Sequence, residues 1–157
     1  MRTVDEATSR ATPATCFQVA ADVERWPEVL PHYRWVRFHE KEGFGRGTVE
    51  MAAWRNFPGF RWPTWWVSTM TLDVEARRVY YRHIDGITEG MQVVWEVDSS
   101  DDGSTRLRIV HEWHGPGWPL VGGAAAEWII GPHFISQIAG RTLEGVVDAA
   151  EAREAGR

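Results

Sequence analysis

The sequence predicts an α+β fold in which a curved antiparallel sheet of about seven strands wraps around a long C-terminal helix. Strand-like segments separated by turn-forming residues fill the chain from Tyr33 to Trp113. Short helical segments precede them, and apolar residues at helical spacing follow them. At 157 residues the chain can bury one substantial core, so we expect a single domain spanning residues 1–157.

The first thirty residues predict one strand and two short helices. Residues 3–10 form the strand, and Pro13 occupies the position that proline favours at the start of a helix over residues 14 to about 21. The second helix covers residues 23–30. It ends near Pro31, because proline lacks the amide donor that a helix interior requires.

Six consecutive antiparallel strands are predicted next. Short turn segments such as Glu42-Gly43 and Asp85-Gly86 separate them, and antiparallel neighbours need no longer connection. The predicted strands cover residues 33–41, 47–54, 62–73, 78–84, 91–98 and 105–114.

A long amphipathic helix is predicted from residue 133 to about residue 153. Gly131-Pro132 marks its start, and its apolar residues recur at helical spacing, which predicts one face packed against the sheet. These apolar residues are Phe134, Ile138, Leu143, Val146 and Val147.

Charge and cysteine content exclude several classes of protein. A formal net charge of −5 and a pI near 5.7 argue against nucleic acid or an anionic membrane as a partner. No apolar run approaches the roughly 20 residues that span a bilayer, and the first ten residues are too polar for a signal peptide. We therefore expect a cytoplasmic protein without membrane insertion. Cys16, the single cysteine, is expected to be a small buried apolar residue.

Tryptophan content points to a cavity. Ten of the 157 residues are tryptophan, and most lie in strand-like segments. We expect their indoles to line a cavity for a flat, apolar ligand, because a core built only for packing would use leucine and isoleucine. Core packing stays open as the alternative for each ring. The tryptophans expected to share this inward surface are Trp54, Trp62, Trp65, Trp66, Trp95 and Trp113.

Strand alternation places several polar side chains on the same inward face. His111 shares a face with Trp113, His83 with Tyr81, and Ser68 with Met70. A histidine among apolar walls is suited to general acid or base chemistry near neutral pH. The alternative is an imidazole that only satisfies buried groups. The candidate catalytic residues are His111, His83, Ser68 and Tyr33.

The motif His111-Glu112-Trp113-His114 does not predict a metal site. A zinc protease motif needs two histidines four residues apart on a helix, whereas these two lie three apart on a strand and face opposite sides. We expect no metal and no other cofactor.

Two groups of motifs resemble a known family. Residues 22–33, Asp-Val-Glu-Arg-Trp-Pro-Glu-Val-Leu-Pro-His-Tyr, resemble the hallmark of the START/SRPBCC superfamily and of its polyketide cyclase/dehydrase branch. Residues 66–68, 91–95 and 110–113 are similar to segments of bacterial aromatase/cyclases. The resemblance implies the helix-grip fold of START and pollen-allergen proteins, in which the bent sheet and the last helix enclose a cavity.

The resemblance also implies a chemistry. Aromatase/cyclases receive a poly-β-ketone chain from an acyl carrier protein, fold it for aldol closure and promote dehydration to an aromatic ring. Residues at matching positions are Trp26, Leu30, Tyr33, Trp66, Ser68, Trp95 and His111. Together with other inward positions, the predicted ligand-binding set is Trp26, Leu30, Trp54, Trp66, Met70, Tyr81, Trp95, Trp113 and Phe134.

Two positions depart from the aromatase/cyclase pattern. Met70 stands where that family carries an arginine two residues after the serine, and His83 stands where it carries another. Losing a guanidinium removes a strong stabiliser of an oxyanion. In one hypothesis His83 and His111 perform the acid–base work, while Tyr33 and Ser68 donate to a carbonyl.

Two further hypotheses stay open. The protein would bind or transport a quinone, lipid or other hydrophobic aromatic ligand without turnover, as relatives in the superfamily do. Alternatively it would be an interaction module that uses exposed apolar residues near 56–63 or at Trp118. The expected partners are a small hydrophobic polyketide and an acyl carrier protein, with the protein a monomer or a homodimer.

Overall fold

Seven strands and three α-helices make up the described parts of the chain. A computed structural model describes residues 1–57, 59–114 and 132–156, with the side chains of residues 132–134 outside that description. The strands are β1 (Arg2–Ser9), β2 (Tyr33–Lys41), β3 (Gly47–Phe57), β4 (Phe60–Asp73), β5 (Arg78–Gly86), β6 (Gln92–Ser99) and β7 (Thr105–Glu112). The helices are α1 (Pro13–Ala21), α2 (Trp26–Val29) and α3 (Pro132–Ala155).

The strands form one curved antiparallel sheet in the order β1-β7-β6-β5-β4-β3-β2. Strands β2 to β7 each pair with their neighbour in sequence, and β1 joins the far edge by pairing with β7. This arrangement confirms the predicted fold class. The observed strand bounds differ from the predicted ones by at most three residues, and those of β2 are identical.

The helices begin and end close to the predicted residues. Thr12 caps α1 by accepting a hydrogen bond from the Thr15 amide, and Pro13 lies in the first turn. The predicted second helix is divided into a 3₁₀ turn, Val23–Arg25, followed by the single turn of α2. Helix α3 packs mainly against β1 and α1, and its residues Leu143, Val146 and Ala150 are buried. None of the described helices has the length and apolar character required to cross a bilayer.

Alternation along the central strands matches the prediction. In β5, Val79, Tyr81 and His83 are buried, while Tyr80 and Arg82 point to the outer face and are exposed. In β4, Trp66, Ser68 and Met70 are buried, and in β7, Leu107, Ile109 and His111 are buried. The concave face therefore carries the polar residues that the sequence placed there. Cys16 is fully buried, as expected.

The far ends of β3 and β4 form a two-stranded arm, defined here as residues 54–57 and 59–65. Among the described pairings, β2 leaves β3 at Ala53 and β5 leaves β4 at Trp66. The arm strands pair with each other, and the Trp54 amide at the base of the arm also donates to the carbonyl of His32 at 2.7 Å. Trp62 and Trp65 are 53% and 47% exposed. The prediction that both indoles face inward is therefore wrong.

Trp54 also lies on the arm and away from the sheet interior. The guanidinium carbons of Arg34 and Arg61 lie 4.5 and 5.2 Å from the centre of its indole. A half-buried indole between two cations is a surface arrangement. The prediction that Trp54 belongs to the inward set is wrong because strand alternation places Trp54 on the opposite face of β3 from Met51, which lines the cavity.

Candidate functional site

A cavity lies between the concave face of the sheet and the N-terminal half of α3. The space open to the centres of water molecules is about 80 Å³. One water occupies about 10–15 Å³ by this measure, so the cavity has room for several waters or a small ring system. Aromatic and histidine side chains contribute much of its lining, namely Trp26, Tyr33, Trp66, Tyr81, His83, Trp95 and His111.

Aromatic rings form a continuous series along the cavity wall. Trp26 lies 5.6 Å from Trp95 and 5.0 Å from Tyr33, and Tyr33 lies 6.2 Å from Trp66, measured between ring centres. The indole nitrogen of Trp26 donates to the carbonyl of Val19 at 3.1 Å. Because that polar edge is satisfied within the protein, Trp26 offers the cavity an apolar surface.

His83 is held in a defined orientation. Its imidazole stacks on the Trp66 indole, with ring centres 5.8 Å apart and planes inclined by 17°. Its Nδ1 lies 2.6 Å from the hydroxyl of Thr88, in the turn between β5 and β6. Burial, and then the nearby His111, lower the pKa of His83 to about 3. The ring is therefore neutral near pH 7.

His111 lies on β7, directly opposite Thr3 of β1. Its Nδ1 lies 3.3 Å from the Thr3 hydroxyl. Burial lowers its pKa to about 4, so this ring is also neutral near pH 7. Within the described residues, the side-chain hydrogen bonds of His83 and His111 both involve Nδ1, and His83 also interacts with the Thr88 backbone. Nε2 of neither ring has a side-chain partner in that part of the chain.

Two tyrosines add hydroxyl groups to the site. Burial raises the pKa of Tyr33 well above its usual range, although a hydrogen bond with Thr142 partly offsets this effect. Burial, followed by the proximity of Tyr33, also raises the pKa of Tyr81. Both are protonated donors at any ordinary pH. The hydroxyls of Tyr81 and Ser68 are buried and have no hydrogen-bond partner among the described residues.

Four predicted site residues are buried but are not among the residues that line the cavity. Ser68 pairs with His83 across β4 and β5, and Met70 pairs with Tyr81 in the same way. Leu30 packs against α3, and the Trp113 indole nitrogen donates to the carbonyl of Glu89 at 2.8 Å. These residues support the lining without contributing to its surface. Trp118 and the Phe134 side chain lie outside the described residues.

Several lining residues were missed in the sequence. Thr88 lies in a turn, where no periodicity predicts which way a side chain points. Ile135, Ala139 and Thr142 recur at helical spacing on α3 and share a face with Ile138, so the helical period of the sequence does indicate their direction. The lining residues outside the predicted site set are Met51, Thr64, Ile87, Thr88, Met91, Val93, Ile109, Ile135, Ile138, Ala139 and Thr142.

A third buried histidine, His32, contacts the cavity wall through Thr142. His32 Nε2 lies 2.9 Å from the Thr142 hydroxyl, which itself donates to the carbonyl of Ile138 at 2.7 Å. Burial, and secondarily the charge of Arg141, lower the pKa of His32 to about 4. Across residues 1–57, 59–114 and 132–156, no cluster of three or more His, Cys, Asp or Glu residues is placed to hold a metal ion.

Sequence comparisons identify relatives of this chain. A family model described as polyketide cyclase/dehydrase and lipid transport matches residues 9–129. A Streptomyces cyaneus protein named "Putative polyketide cyclase" is 30% identical over 112 residues, which cover 71% of each chain.

Solved structures share the fold. The Zhui aromatase/cyclase from Streptomyces sp. R1128 superposes with a TM-score of 0.81 at 20% identity, covering 98% of this chain and 94% of that one. A START superfamily protein from Mycobacterium smegmatis gives a TM-score of 0.65 at 14% identity, covering 97% and 95%. At these identities the likeness establishes the helix-grip fold alone.

Proposed function

Because this chain belongs to the polyketide cyclase/dehydrase and lipid transport family, we propose that it binds a poly-β-ketone or aromatic polyketide in its cavity and promotes aldol cyclisation and dehydration. The cavity is supported as the site because it combines aromatic walls with two neutral histidines whose Nε2 atoms have no side-chain partner among the described residues. An apolar pocket with few polar groups suits a flat substrate that carries carbonyl oxygens.

The proposed cyclisation begins with proton removal by a neutral imidazole. His111 Nε2 takes a proton from a carbon between two ketones, which leaves an enolate. The enolate carbon forms a bond to a second carbonyl carbon, and the electron pair of that C=O moves to its oxygen. That oxygen then takes the proton back from His111, which gives a β-hydroxyketone.

Dehydration follows at the same site. A second carbon-bound proton passes to the base, the C–OH bond breaks, and the hydroxyl group leaves as water with a returned proton. The net change is the loss of one water molecule without any change of oxidation state. Tyr33 and Tyr81, with His83, line the cavity and are the proposed donors to the oxygens on which negative charge develops.

Reconstitution of a minimal aromatic polyketide synthase tests this function. Products are compared with and without this protein by mass spectrometry and NMR. We expect a shift from shunt products to a differently cyclised aromatic compound. We expect His111→Ala to slow formation of that product about 100-fold or more, as loss of a general base does. His114→Ala is the matched control, because His114 is exposed and should leave the products unchanged.

A second candidate function is binding without turnover. The observation that favours it is Met70, which is 1% exposed and provides no charge at the position where the resembling cyclases carry arginine. In that case the synthase products would stay unchanged, and the protein would still bind an aromatic probe. Titration with 1,8-dihydroxyanthraquinone, monitored by tryptophan fluorescence, distinguishes binding without turnover from the absence of any binding.

A further inference from the structure

The other contacts of Thr88 indicate which group donates in its hydrogen bond with His83. Thr88 is 5% exposed, and its hydroxyl lies 2.6 Å from His83 Nδ1. This is the one side-chain hydrogen bond that its hydroxyl makes among the described residues. If the Thr88 hydroxyl accepted a hydrogen bond from an Nδ1–H group, its own O–H would have no acceptor among the described residues. A buried donor without an acceptor lowers the stability of the folded protein.

His32 provides an internal comparison. Thr142 already donates its proton to the carbonyl of Ile138, so it accepts from the N–H at His32 Nε2. Thr88 has no such carbonyl among the described residues. The Thr88 carbonyl also interacts with the His83 ring, but it already accepts from the Met91 amide at 3.0 Å. Among the described residues, both groups are satisfied when the Thr88 hydroxyl donates to Nδ1 and the proton of the neutral ring lies on Nε2.

The surrounding turn fixes this arrangement. The His83 amide donates to the carbonyl of Met91 at 2.9 Å, and the Gly90 amide donates to the carbonyl of His83 at 2.9 Å. These two bonds close the turn that carries Thr88, while Trp66 supports the opposite side of the imidazole. Rotation of the ring would break both the stacking contact and the threonine bond.

We propose that Thr88 is a positioning residue that locks His83 in the tautomer protonated at Nε2, so that His83 donates a hydrogen bond to a carbonyl or enolate oxygen of the bound ligand. This assignment rests on the proposed function for the identity of the ligand, and it makes His83 a neutral replacement for a cationic donor. His111 then remains the base, since its longer bond to Thr3 constrains its tautomer less.

The tautomer is measurable without any ligand. Long-range ¹H–¹⁵N correlation spectra of the ¹⁵N-labelled full-length protein at pH 7.5 distinguish Nδ1 from Nε2, and a His83→Gln variant assigns the signal among the six histidines. We expect His83 to be protonated at Nε2 in the wild type. We expect Thr88→Val to introduce the Nδ1-protonated form, whereas Thr88→Ser retains the wild-type pattern.

Two results would overturn the inference. One is a wild-type His83 that carries its proton on Nδ1, which the wild-type spectrum decides even if Thr88→Val fails to fold. The other is a folded Thr88→Val variant with an unchanged tautomer. Binding of 1,8-dihydroxyanthraquinone should weaken about tenfold in Thr88→Val and stay unchanged in Thr88→Ser. Failure of the wild type to bind this probe counts against the proposed function, while the ligand-free spectrum still tests the role of Thr88.

Discussion

Trp65 and Trp66 are adjacent in sequence but lie on opposite faces of β4. Trp65 is 47% exposed, whereas Trp66 is 9% exposed and lines the cavity beside His83. The difference follows from the two-residue period of a strand, which sends neighbouring side chains to opposite sides. The two indoles therefore form a natural pair for separating surface effects from cavity effects.

Substitution of these two tryptophans should have very different consequences. Trp66→Leu is expected to lower the free energy of unfolding by about 2 kcal/mol or more, because it leaves a cavity and removes the ring on which His83 stacks. Trp65→Leu is expected to change it by less than about 0.5 kcal/mol, as surface substitutions do. Urea unfolding of both variants measures the difference. Similar losses in the two would contradict the assignment of faces.

Strand alternation predicted the central part of the site because every residue there has strands on both sides. His83, Ser68 and His111 lie where the two-residue period placed them. The arm was mispredicted because Trp65 was placed on the same face as its neighbour Trp66, which the two-residue period forbids, whereas Thr64 on the Trp66 face is buried and lines the cavity. Pro63 and Gly59 also favoured a longer turn than the structure has.

The threonine partners of the histidines could not be predicted from periodicity. Thr88 reaches His83 through the closure of a turn, and Thr3 reaches His111 through pairing of the first and last strands. Both contacts depend on tertiary structure. Sequence alone identifies which rings face inward, whereas the choice of ring nitrogen needs the positions of these hydroxyls.

Buried histidines should make the protein sensitive to mild acid. His32, His83 and His111 have pKa values of about 4, 3 and 4, each below the ordinary value of about 6.5. As the pH falls below 6.5, the unfolded chain binds protons that the folded protein excludes. The free energy of unfolding should then fall by up to about 1.4 kcal/mol per pH unit for each histidine, until pH about 4.

Urea unfolding between pH 7.5 and pH 5 measures this slope, and one variant isolates a single contribution. His111→Gln removes one of the three groups, so it should reduce the slope by about 1.4 kcal/mol per pH unit. The three histidines should add nothing to the pH dependence above pH 7.5, where both states are neutral. An identical slope in wild type and His111→Gln would show that His111 is not buried in its neutral form.

Gly86 should be intolerant of substitution. It has φ +98°, and a Cβ there would lie 2.6 Å from the carbonyl oxygen of Trp65 and 2.7 Å from the Cα of Trp66. Left-handed backbone alone costs a residue with a side chain about 1–2 kcal/mol. Gly103→Ala is the matched control, because Gly103 has φ +83° and open space around it. Gly86→Ala should destabilise the protein by at least about 2 kcal/mol more than Gly103→Ala in thermal unfolding.

The Gly86→Ala substitution should affect ligand binding as well as stability. The clash at Gly86 falls on the backbone of Trp66, so Gly86→Ala should also weaken 1,8-dihydroxyanthraquinone binding at a temperature where the variant is folded. Gly103→Ala should bind normally. Equal stability of the two alanine variants would show that β4 can shift away from β5 at this point without cost.

Introducing arginine at position 70 tests whether the fold of this protein tolerates the residue that the resembling cyclases carry there. Met70 is 1% exposed, and no Asp or Glu side chain is among the described residues that line the neighbouring cavity. A guanidinium there would lack a carboxylate partner, so Met70→Arg should lower the free energy of unfolding by about 3 kcal/mol or more. Met70→Leu keeps the volume and should cost less than about 1.5 kcal/mol. Urea unfolding compares the two. A fully stable Met70→Arg variant would mean that the protein accommodates a cation at this position. Met70 would then not be the reason why the cavity offers only neutral donors such as His83, Tyr33 and Tyr81.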